Sequence, residues 1–348
     1  MAKHWAVWFI TIATSTFPGF SQAQTDNGDR TITLNVVATD KAGKAVSGLQ
    51  QQDFTILEDK KPQSSTAFEA VRGLDPEGGP PAEIILLMDN VNTRIERVAY
   101  ERLQVQKFLQ RDGGHLSTPV MLAFLSDNGI TTGNGPSTDG NALVADLDRN
   151  RPSLRTINRR TQGVYGASDQ LDLSVNALQR LATAEATKPG RKLVIWISPG
   201  WPYLTGPNIE LSSTDQRNLF NEIVRISESI QKAGMTIYNV DPLGTSDAVG
   251  FRTTYYEEFV KGVKKPSQVQ FGDVALQAIA IQSGGRVLNS ENDVAGEIAT
   301  CVGDASNYYV LQFEGVPADG PNDYHTFEVK IDKPGLKAVT RTGYYAQP

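Results

Sequence analysis

The sequence predicts an α/β fold in which a central, mostly parallel sheet carries helices on both faces. The first observation is the apolar run of residues 84–88, which is short, unbroken and followed by polar turn residues, as in a strand buried on both faces. The second is the helical spacing of apolar residues in 95–109, directly after that run. The third is that strand and helix patterns alternate from residue 82 to residue 304, which favours parallel strands joined by crossover helices.

The other strands predicted within residues 82–304 are short and strongly apolar. They lie at residues 119–125, 193–197, 235–240 and 286–288. The predicted helices have apolar residues at three- and four-residue spacings. They lie around residues 143–147 and at 171–184, 213–233, 273–283 and 294–302. Ser213 and Gln216 have the spacing of a capping box, and Gly234 is expected to end the helix that starts there.

Both ends of the mature chain are predicted to be all β. Apolar and polar residues alternate at 31–39, as in a half-buried strand. Further strands are predicted at 53–59, 63–70, 308–313, 325–331 and 338–345. Each end has too few strands for a stable sheet alone. We therefore expect a small all-β sandwich built from residues 24–78 and 306–348, with the α/β domain of residues 82–304 inserted in it.

Residues 1–23 are predicted to be a cleavable signal peptide. Lys3 supplies positive charge, residues 6–20 are mostly apolar, and Ser21 and Ala23 are small residues suited to cleavage after Ala23. An uncleaved membrane anchor is the alternative, but the apolar stretch is short for a span. We expect a secreted or periplasmic protein without stable membrane insertion.

Composition narrows the classes of partner. The net charge of −6 and the pI of about 5.3 argue against nucleic acid as the main partner. The single cysteine, Cys301, cannot form an intrachain disulfide, and its position in a predicted helix favours a buried, inert thiol. At 348 residues the chain is long enough to bury a large core.

Polar residues gather where the predicted strands end. They are Asp89, Asn90, Asn92 and Thr93 after the first buried strand, with Asp127, Ser198 and Asp241 after three others. The carboxyl ends of parallel strands meet at one edge of the sheet, which is where open α/β sheets bind ligands. We therefore expect Asn90, Asn92, Asp127 and Asp241 to lie along a ligand-contact edge.

The stretch from Ile84 to Thr93 resembles the first strand and metal-binding loop of a von Willebrand factor type A (VWA) domain. Other segments resemble, in order and spacing, those of the bacterial VWFA-related family of secreted proteins. These segments are residues 48–49, 53–59, 238–244, 283–286, 307–311 and 343–345. The resemblance extends over nearly the whole mature chain. It implies a Rossmann-like A domain with a ligand-binding or adhesion role, usually without catalysis.

The functional site of that family is a metal-ion-dependent adhesion site, whose first loop has the form Asp-x-Ser-x-Ser. Asp89 and Thr93 match the aspartate and the last hydroxyl, but Val91 replaces the middle serine. Ser168 stands near the position of a threonine ligand, and Ser198 lies where the family has a further aspartate. The resemblance thus implies Asp89, Thr93, Ser168 and Ser198 as the ligands of a degenerate site for Mg²⁺, Mn²⁺ or Ca²⁺.

Two interpretations of this site remain open. In the first, the remaining oxygens hold a heavily hydrated ion, and Asp127 or Asp241 supplies the missing charge. Mg²⁺ prefers six oxygen ligands in octahedral geometry, so the loss of a carboxylate and a hydroxyl weakens this interpretation. In the second, Asp89 and Thr93 cap the helix that follows, and no cofactor binds. We favour the second.

Motifs of catalysis are missing from the sequence. After the signal only His115 and His325 remain, and neither is close in sequence to a nucleophile. The chain has no Gly-x-Ser-x-Gly elbow, phosphate loop or His-Glu-x-x-His motif. Ser198 has the best position for a nucleophile, at the end of a strand, but has no nearby base in sequence. We do not expect an enzyme.

The function expected from these observations is a VWA-like protein-binding or adhesion module with a protein partner at the sheet edge. The alternative is a structural or assembly component of the cell envelope. In that case the β-sandwich mediates association and the sheet edge binds neither metal nor ligand.

Overall fold

The structure is a computed structural model that describes residues 30–72, 82–151, 162–202, 204, 210–242, 255–289 and 293–348. The predicted signal peptide with its cleavage after Ala23, residues 73–81 before the α/β unit and residues 243–254 lie outside the described part of the chain. None of the helices in the described ranges has the length and apolar content that crossing a bilayer requires.

The central sheet has seven strands and is mostly parallel. Its strands are β5 (Glu83–Asp89), β6 (His115–Ser126), β7 (Gly129–Thr132), β8 (Ser137–Asp139), β9 (Lys192–Ile197), β10 (Met235–Val240) and β11 (Val287–Leu288). They are ordered β11-β10-β9-β5-β6-β7, and β8 also pairs with β6. Only β7 and β8 run antiparallel to their neighbour.

Helices cover both faces of this sheet. They are α1 (Ile95–Leu109), α2 (Gly140–Arg149), α3 (Gly163–Glu185), α4 (Ser213–Lys232), α5 (Leu276–Gln282) and α6 (Val294–Ser306). Because successive residues of a strand point to opposite faces, Ile85 and Leu87 pack with α3, α4 and α5, whereas Ile84 and Leu86 pack with α1, α2 and α6. The predicted α/β class, with a mostly parallel sheet and helices on both faces, is confirmed.

The chain segments on either side of this unit form two four-stranded sheets. Their strands are β1 (Thr31–Thr39), β2 (Phe54–Glu58), β3 (Lys61–Gln63), β4 (Ser65–Arg72), β12 (Asn307–Glu314), β13 (Asp323–Ile331), β14 (Lys337–Val339) and β15 (Gly343–Ala346). The orders are β14-β1-β12-β4 and β15-β13-β2-β3, so each sheet contains two strands from each segment. Leu34, Ile56, Leu311 and Phe327 belong to one hydrophobic cluster that both sheets share.

Several predicted boundaries are wrong. The final strand, predicted at 338–345, is two strands that join different sheets, because an alternating pattern does not specify its pairing partner. Helix α3 begins at Gly163, eight residues before the prediction. The helix at 273–283 is a short 3₁₀ turn followed by α5. Ser212, not Ser213, caps α4 by accepting the Asp215 N–H at 3.2 Å.

The C-terminal strands reach into the core of the α/β unit. Tyr324 of β13 and Tyr345 of β15 are buried in the same cluster as α3, α4 and α5. The Tyr345 ring lies 6.0 Å from that of Phe220, edge to face, and its hydroxyl donates to the Val263 carbonyl at 3.1 Å. The Tyr324 hydroxyl accepts the Gly262 N–H, also at 3.1 Å. Apolar packing therefore joins the all-β part to the α/β part.

A buried ion pair makes a second connection between the two parts. Arg286, just before β11, donates to Asp304 of α6 at 3.2 Å and to the carbonyl of Gly43, which follows β1, at 2.8 Å. Arg191 is also buried, donates to the Asp304 carbonyl and lies over the Tyr308 ring, 4.4 Å from its centre. Burial raises the pKa of Asp304 because desolvation outweighs the effect of the arginines.

Candidate functional site

Asp89 ends β5 with a wholly buried carboxylate that accepts hydrogen bonds from N–H groups on both oxygens. Backbone N–H groups of Val91 and Asn92 donate to Oδ1 at 3.0 and 2.9 Å. The Asn92 amide and the Trp196 indole donate to Oδ2 at 2.7 and 2.9 Å. Burial raises the pKa of Asp89, because desolvation outweighs the hydrogen bonds from Asn92, Trp196 and Ser198. The carboxylate thus organises residues 89–93, here called the Asp89 loop.

Helix α3 holds the Asp89 loop from one side. The Gln170 amide donates to the Val91 carbonyl at 2.9 Å. The Asn92 amide donates to the hydroxyl of Ser174, which is buried and itself donates to the Gln170 carbonyl at 2.7 Å. Ser168 lies six residues before Ser174, and no hydrogen bond among the described residues involves its side chain. The hydroxyl that α3 brings to this loop is therefore that of Ser174 rather than Ser168.

Residues at the carboxyl end of strand β9 also contact the Asp89 loop. Trp196 lies beside Leu87 in the parallel register, so its indole reaches the carboxylate two residues further along β5. Ser198 directly follows this strand, and its buried hydroxyl accepts the Gly200 N–H at 3.2 Å. Its hydrogen bond to Asp89 opposes the rise that burial causes in the pKa of Asp89. The Asn239 amide donates to the Ser198 carbonyl at 2.8 Å. The structure thus brings Ser198 next to Asp89, as predicted from the sheet edge.

Thr93 and Glu101 lie on the other side of the loop. Both are wholly buried. Burial raises the pKa of Glu101 well above its ordinary value, and the nearby charge of Asp89 raises it further. The Thr93 hydroxyl and Arg102 oppose this rise with smaller effects. A second carboxyl group, supplied by α1, therefore lies near Asp89.

The prediction that Asp89 and Thr93 cap α1 is wrong. The N-cap residue is Arg94, which makes no side-chain hydrogen bond to the helix. Both backbone N–H groups bound by Asp89 belong to the loop before the helix. An aspartate readily bonds N–H groups two and three residues on, which forms a turn without requiring a helix.

The polar side chains predicted at this edge are buried or half-buried, within the Asp89 loop or beside it. Asp89 and Thr93 are 0 % exposed and Asn90 is 8 % exposed, while Asn92 is half-buried. Asp127, in the turn between β6 and β7, and Asp241, just after β10, are also half-buried. A partner at this edge would meet the residues that surround the Asp89 loop more than the loop's own side chains.

Large exposed apolar side chains lie next to the loop. Ile95, at the start of α1, is 47 % exposed. Val164 and Tyr165, in the first turn of α3, are 53 % and 85 % exposed. Helix α1 directly follows β5, and α3 precedes β9 and so runs opposite to it. Both helices therefore begin at the edge where the parallel strands end.

The residues at this edge do not fit the metal site that the sequence resemblance implies. An ionised carboxylate offers about four lone-pair positions, and N–H donors from Val91, Asn92 and Trp196 take those of Asp89. Divalent cations of this class bind oxygen lone pairs and repel N–H hydrogens. Among the described residues, no group of three or more His, Cys, Asp or Glu side chains is placed to hold a metal ion.

The sequence analysis missed four residues of this network: Gln170, Ser174, Trp196 and Glu101. The first two lie on a helix whose start was predicted too late. A buried indole N–H needs an acceptor, so Trp196, one position before the strand end, carried a usable signal. Glu101 occupies a buried position of α1, and an acidic residue on the apolar side of a predicted helix was a further signal.

Comparisons with known proteins show only weak structural similarities. No family model and no curated protein matches the chain. The VWA domain of SpRpn10 is similar over 68 % of this chain and 98 % of its own, at 15 % identity and a TM-score of 0.28. The pilus adhesin SpaC from Lactobacillus rhamnosus GG is similar over 87 % of this chain, at 10 % identity and a TM-score of 0.34. This chain spans about half of that adhesin, 49 % of its length.

TM-scores this low carry no argument about fold or function. The fold rests instead on the strand order and on the helices that cover both faces of the central sheet. These features establish a mixed α/β protein with a mostly parallel sheet, and they place the Asp89 loop where that sheet's strands end.

Proposed function

We propose that this protein is a VWA-like protein-binding or adhesion module, and that its partner binds beside the Asp89 loop. The contact surface comprises Ile95, Val164 and Tyr165, here called the edge patch. We propose a non-enzymatic role at a secreted or periplasmic location. The location rests on the predicted signal of residues 1–23, which lies outside the described residues.

The observation that carries the proposal is that large exposed apolar side chains lie at the starts of α1 and α3. Ile95, Val164, Tyr165 and Leu103 are the large hydrophobic residues most exposed in the described part of the chain. The first three lie in the first turns of two helices that begin at one edge of the sheet. Protein interfaces concentrate binding energy in a few such residues, and tyrosine is enriched among them. The hydrogen bonds of Gln170 and Ser174 to the Asp89 loop hold α3 and the loop in a fixed relation.

The environment of the serine and the histidines supports a non-enzymatic role. Ser198 lies where β9 ends, whereas His115 lies where β6 begins, at the opposite edge of the sheet. His325 lies on β13 of the all-β part, with its Nδ1 atom 2.8 Å from Asp59. Nucleophilic catalysis by serine needs a base within hydrogen-bond reach, and neither histidine occupies that position.

A capture experiment with matched surface variants tests the proposal. The mature full-length protein would be immobilised and exposed to cell-envelope extract, beside the variants Tyr165→Ser and Leu103→Ser. Leu103 is 48 % exposed on the middle of α1, about 12 Å along the helix from Ile95. We expect a saturable partner that Tyr165→Ser loses and Leu103→Ser retains. Equal retention, or equal loss, by the two variants would contradict a role for the edge patch.

The alternative, a structural or assembly component, has one observation in its favour. We propose for the all-β part a small β-sandwich in which the α/β unit is inserted; the shared cluster and the mixing of strands from both segments in each sheet support this arrangement. Strand β4 lies at the edge of one sheet and has eight residues, with no described strand on its outer side. Such an edge can pair with a strand of another chain.

The two candidates predict different outcomes in the same capture experiment. A Thr66→Lys substitution places a charge on the exposed edge of β4, and lysine at a sheet edge hinders strand addition. A partner lost with Thr66→Lys but kept with Tyr165→Ser would favour assembly through β4. The opposite pattern would favour the edge patch.

A further inference from the structure

We infer that Trp196 takes the place of a divalent cation in the Asp89 loop, so that an indole N–H, and not a metal ion, fixes the loop's conformation. This inference concerns how the edge is held together and is independent of any partner. It rests on the mismatch between the hydrogen bonds of Asp89 and the ligand requirements of a cation.

The hydrogen bonds divide into two kinds. Val91 and Asn92 donate backbone N–H groups to Oδ1, which any aspartate at the head of a turn could accept. The Oδ2 atom accepts from two side chains, the Trp196 indole of β9 and the Asn92 amide, which also reaches α3. A cation bound at this loop would need that second oxygen, and the Trp196 indole and the Asn92 amide occupy it, at 2.9 and 2.7 Å.

The fold itself directs the indole to Oδ2. Trp196 lies beside Leu87 on the neighbouring parallel strand, and alternate residues share a face, so Trp196 and Asp89 face the same side of the sheet. Its ring is 0 % exposed and packs edge to face on Trp201, with 5.2 Å between ring centres. A tryptophan N–H can only donate. Once packed in this position it stabilises an acceptor at Oδ2 and excludes a cation there.

The amide of Asn92 is committed as well. It donates to Oδ2 of Asp89 and also to the hydroxyl of Ser174 at 2.9 Å. Ser174 then donates to the Gln170 carbonyl, so its hydroxyl hydrogen is already used within α3. The chain Trp196, Asp89, Asn92, Ser174 thus connects a strand, the loop and a helix without an ion. The loop would be ordered equally in the presence of a chelator and of divalent cations.

A matched tryptophan makes the inference testable. Trp201 is also buried, at 3 % exposed, in the same hydrophobic cluster, but its indole nitrogen has no hydrogen-bond partner in the described structure. Trp196→Phe and Trp201→Phe each remove a similar volume, and only the first removes a donor to a carboxylate. Hydrogen bonds to charged groups contribute more than neutral ones. We expect Trp196→Phe to raise the unfolding equilibrium constant about tenfold or more beyond the effect of Trp201→Phe.

The experiment has two arms. In the first, thermal melts and calorimetric titrations of the chelator-treated wild type with Mg²⁺, Mn²⁺ and Ca²⁺ should show no saturable binding and no shift in Tm. Saturable binding that Asp89→Asn abolishes would overturn the inference, and the wild-type titrations themselves need no destabilised variant. In the second, urea unfolding compares the two phenylalanine variants. Equal destabilisation would also overturn it, because the Trp196 N–H would then contribute no more than packing.

Discussion

Substituting a single leucine in the all-β part should weaken the distant α/β core by a measurable amount. Leu311 of β12 is 0 % exposed and lies in the cluster that the two four-stranded sheets share. Replacing a buried leucine by alanine costs about 2–5 kcal/mol, since it leaves a cavity as well as losing apolar contact. With a urea dependence of about 3 kcal/mol per M, the unfolding midpoint should fall by roughly 1 M.

The tryptophans make this coupling visible. Beyond residue 23 the only tryptophans are Trp196 and Trp201, both in the α/β core. Their fluorescence therefore reports on that core alone, whereas far-UV circular dichroism reports on the whole chain. Because Tyr345 and Tyr324 pack within the α/β core, we expect Leu311→Ala to lower the midpoint equally by both probes.

An exposed leucine provides the control for this measurement. Leu103→Ala, at a site that is 48 % exposed, should change stability by no more than about 0.5 kcal/mol. If Leu311→Ala shifts the midpoint seen by circular dichroism and leaves the fluorescence transition unchanged, the two parts unfold independently. The reasoning from the tyrosine contacts would then be refuted.

Three further predictions concern single positions and are checked by urea unfolding. Asp304→Ala should cost about 3–5 kcal/mol, because it leaves Arg286, whose side chain is 19 % exposed, without its carboxylate partner. Glu314→Gln, in an exposed ion pair, should cost at most about 1 kcal/mol; similar costs would contradict a stronger contribution from the more buried pair. Burial raises the pKa of Asp273 to about 6, so its ionisation should reduce stability as the pH rises from 3.8 to about 6. Asp273→Asn should remove on the order of 2–3 kcal/mol of this loss of stability with pH. An unchanged pH profile of the unfolding free energy would contradict the raised pKa of Asp273. Gly140→Ala should cost at least about 1–3 kcal/mol, because the added Cβ would lie 1.9 Å from the Leu109 carbonyl oxygen. An unaltered unfolding midpoint would show that α1 and α2 can move apart at little cost.

The sequence predicted the α/β class because the physics behind it is local. The apolar runs around Ile85 and Val194 are too continuous for a half-exposed strand, and both became central strands. Gly234 was predicted to end α4, and it follows that helix with φ of 62°. Patterns of period 2 and 3.6 were enough to identify these elements, although the ends of helices and strands often moved by several residues.

The candidate site was only partly predictable, because its hydrogen bonds join residues far apart in the chain. That Asp89 and Ser198 approach each other followed from parallel strands ending at one edge. The contribution of Trp196 depends on the register of β9 against β5, which no local pattern specifies. Ser168 was predicted near the position of a threonine ligand from the resemblance, whereas the α3 hydroxyl that contacts the loop is that of Ser174.

The burial of Tyr345 in the α/β core also has a consequence for the order in which the protein can be built. During synthesis β5, β6, β9 and β10 emerge long before Tyr345, which completes their core and follows more than a hundred residues after β10. The pairing of Thr33 with Gln312 also joins residues more than a hundred positions apart, so the long chain segment between them must close into a loop before β1 and β12 can pair. Until then α4 has an uncovered apolar surface. We therefore expect the nascent chain to remain accessible to proteases and chaperones until β15 has been synthesised, and to complete its folding in one late step.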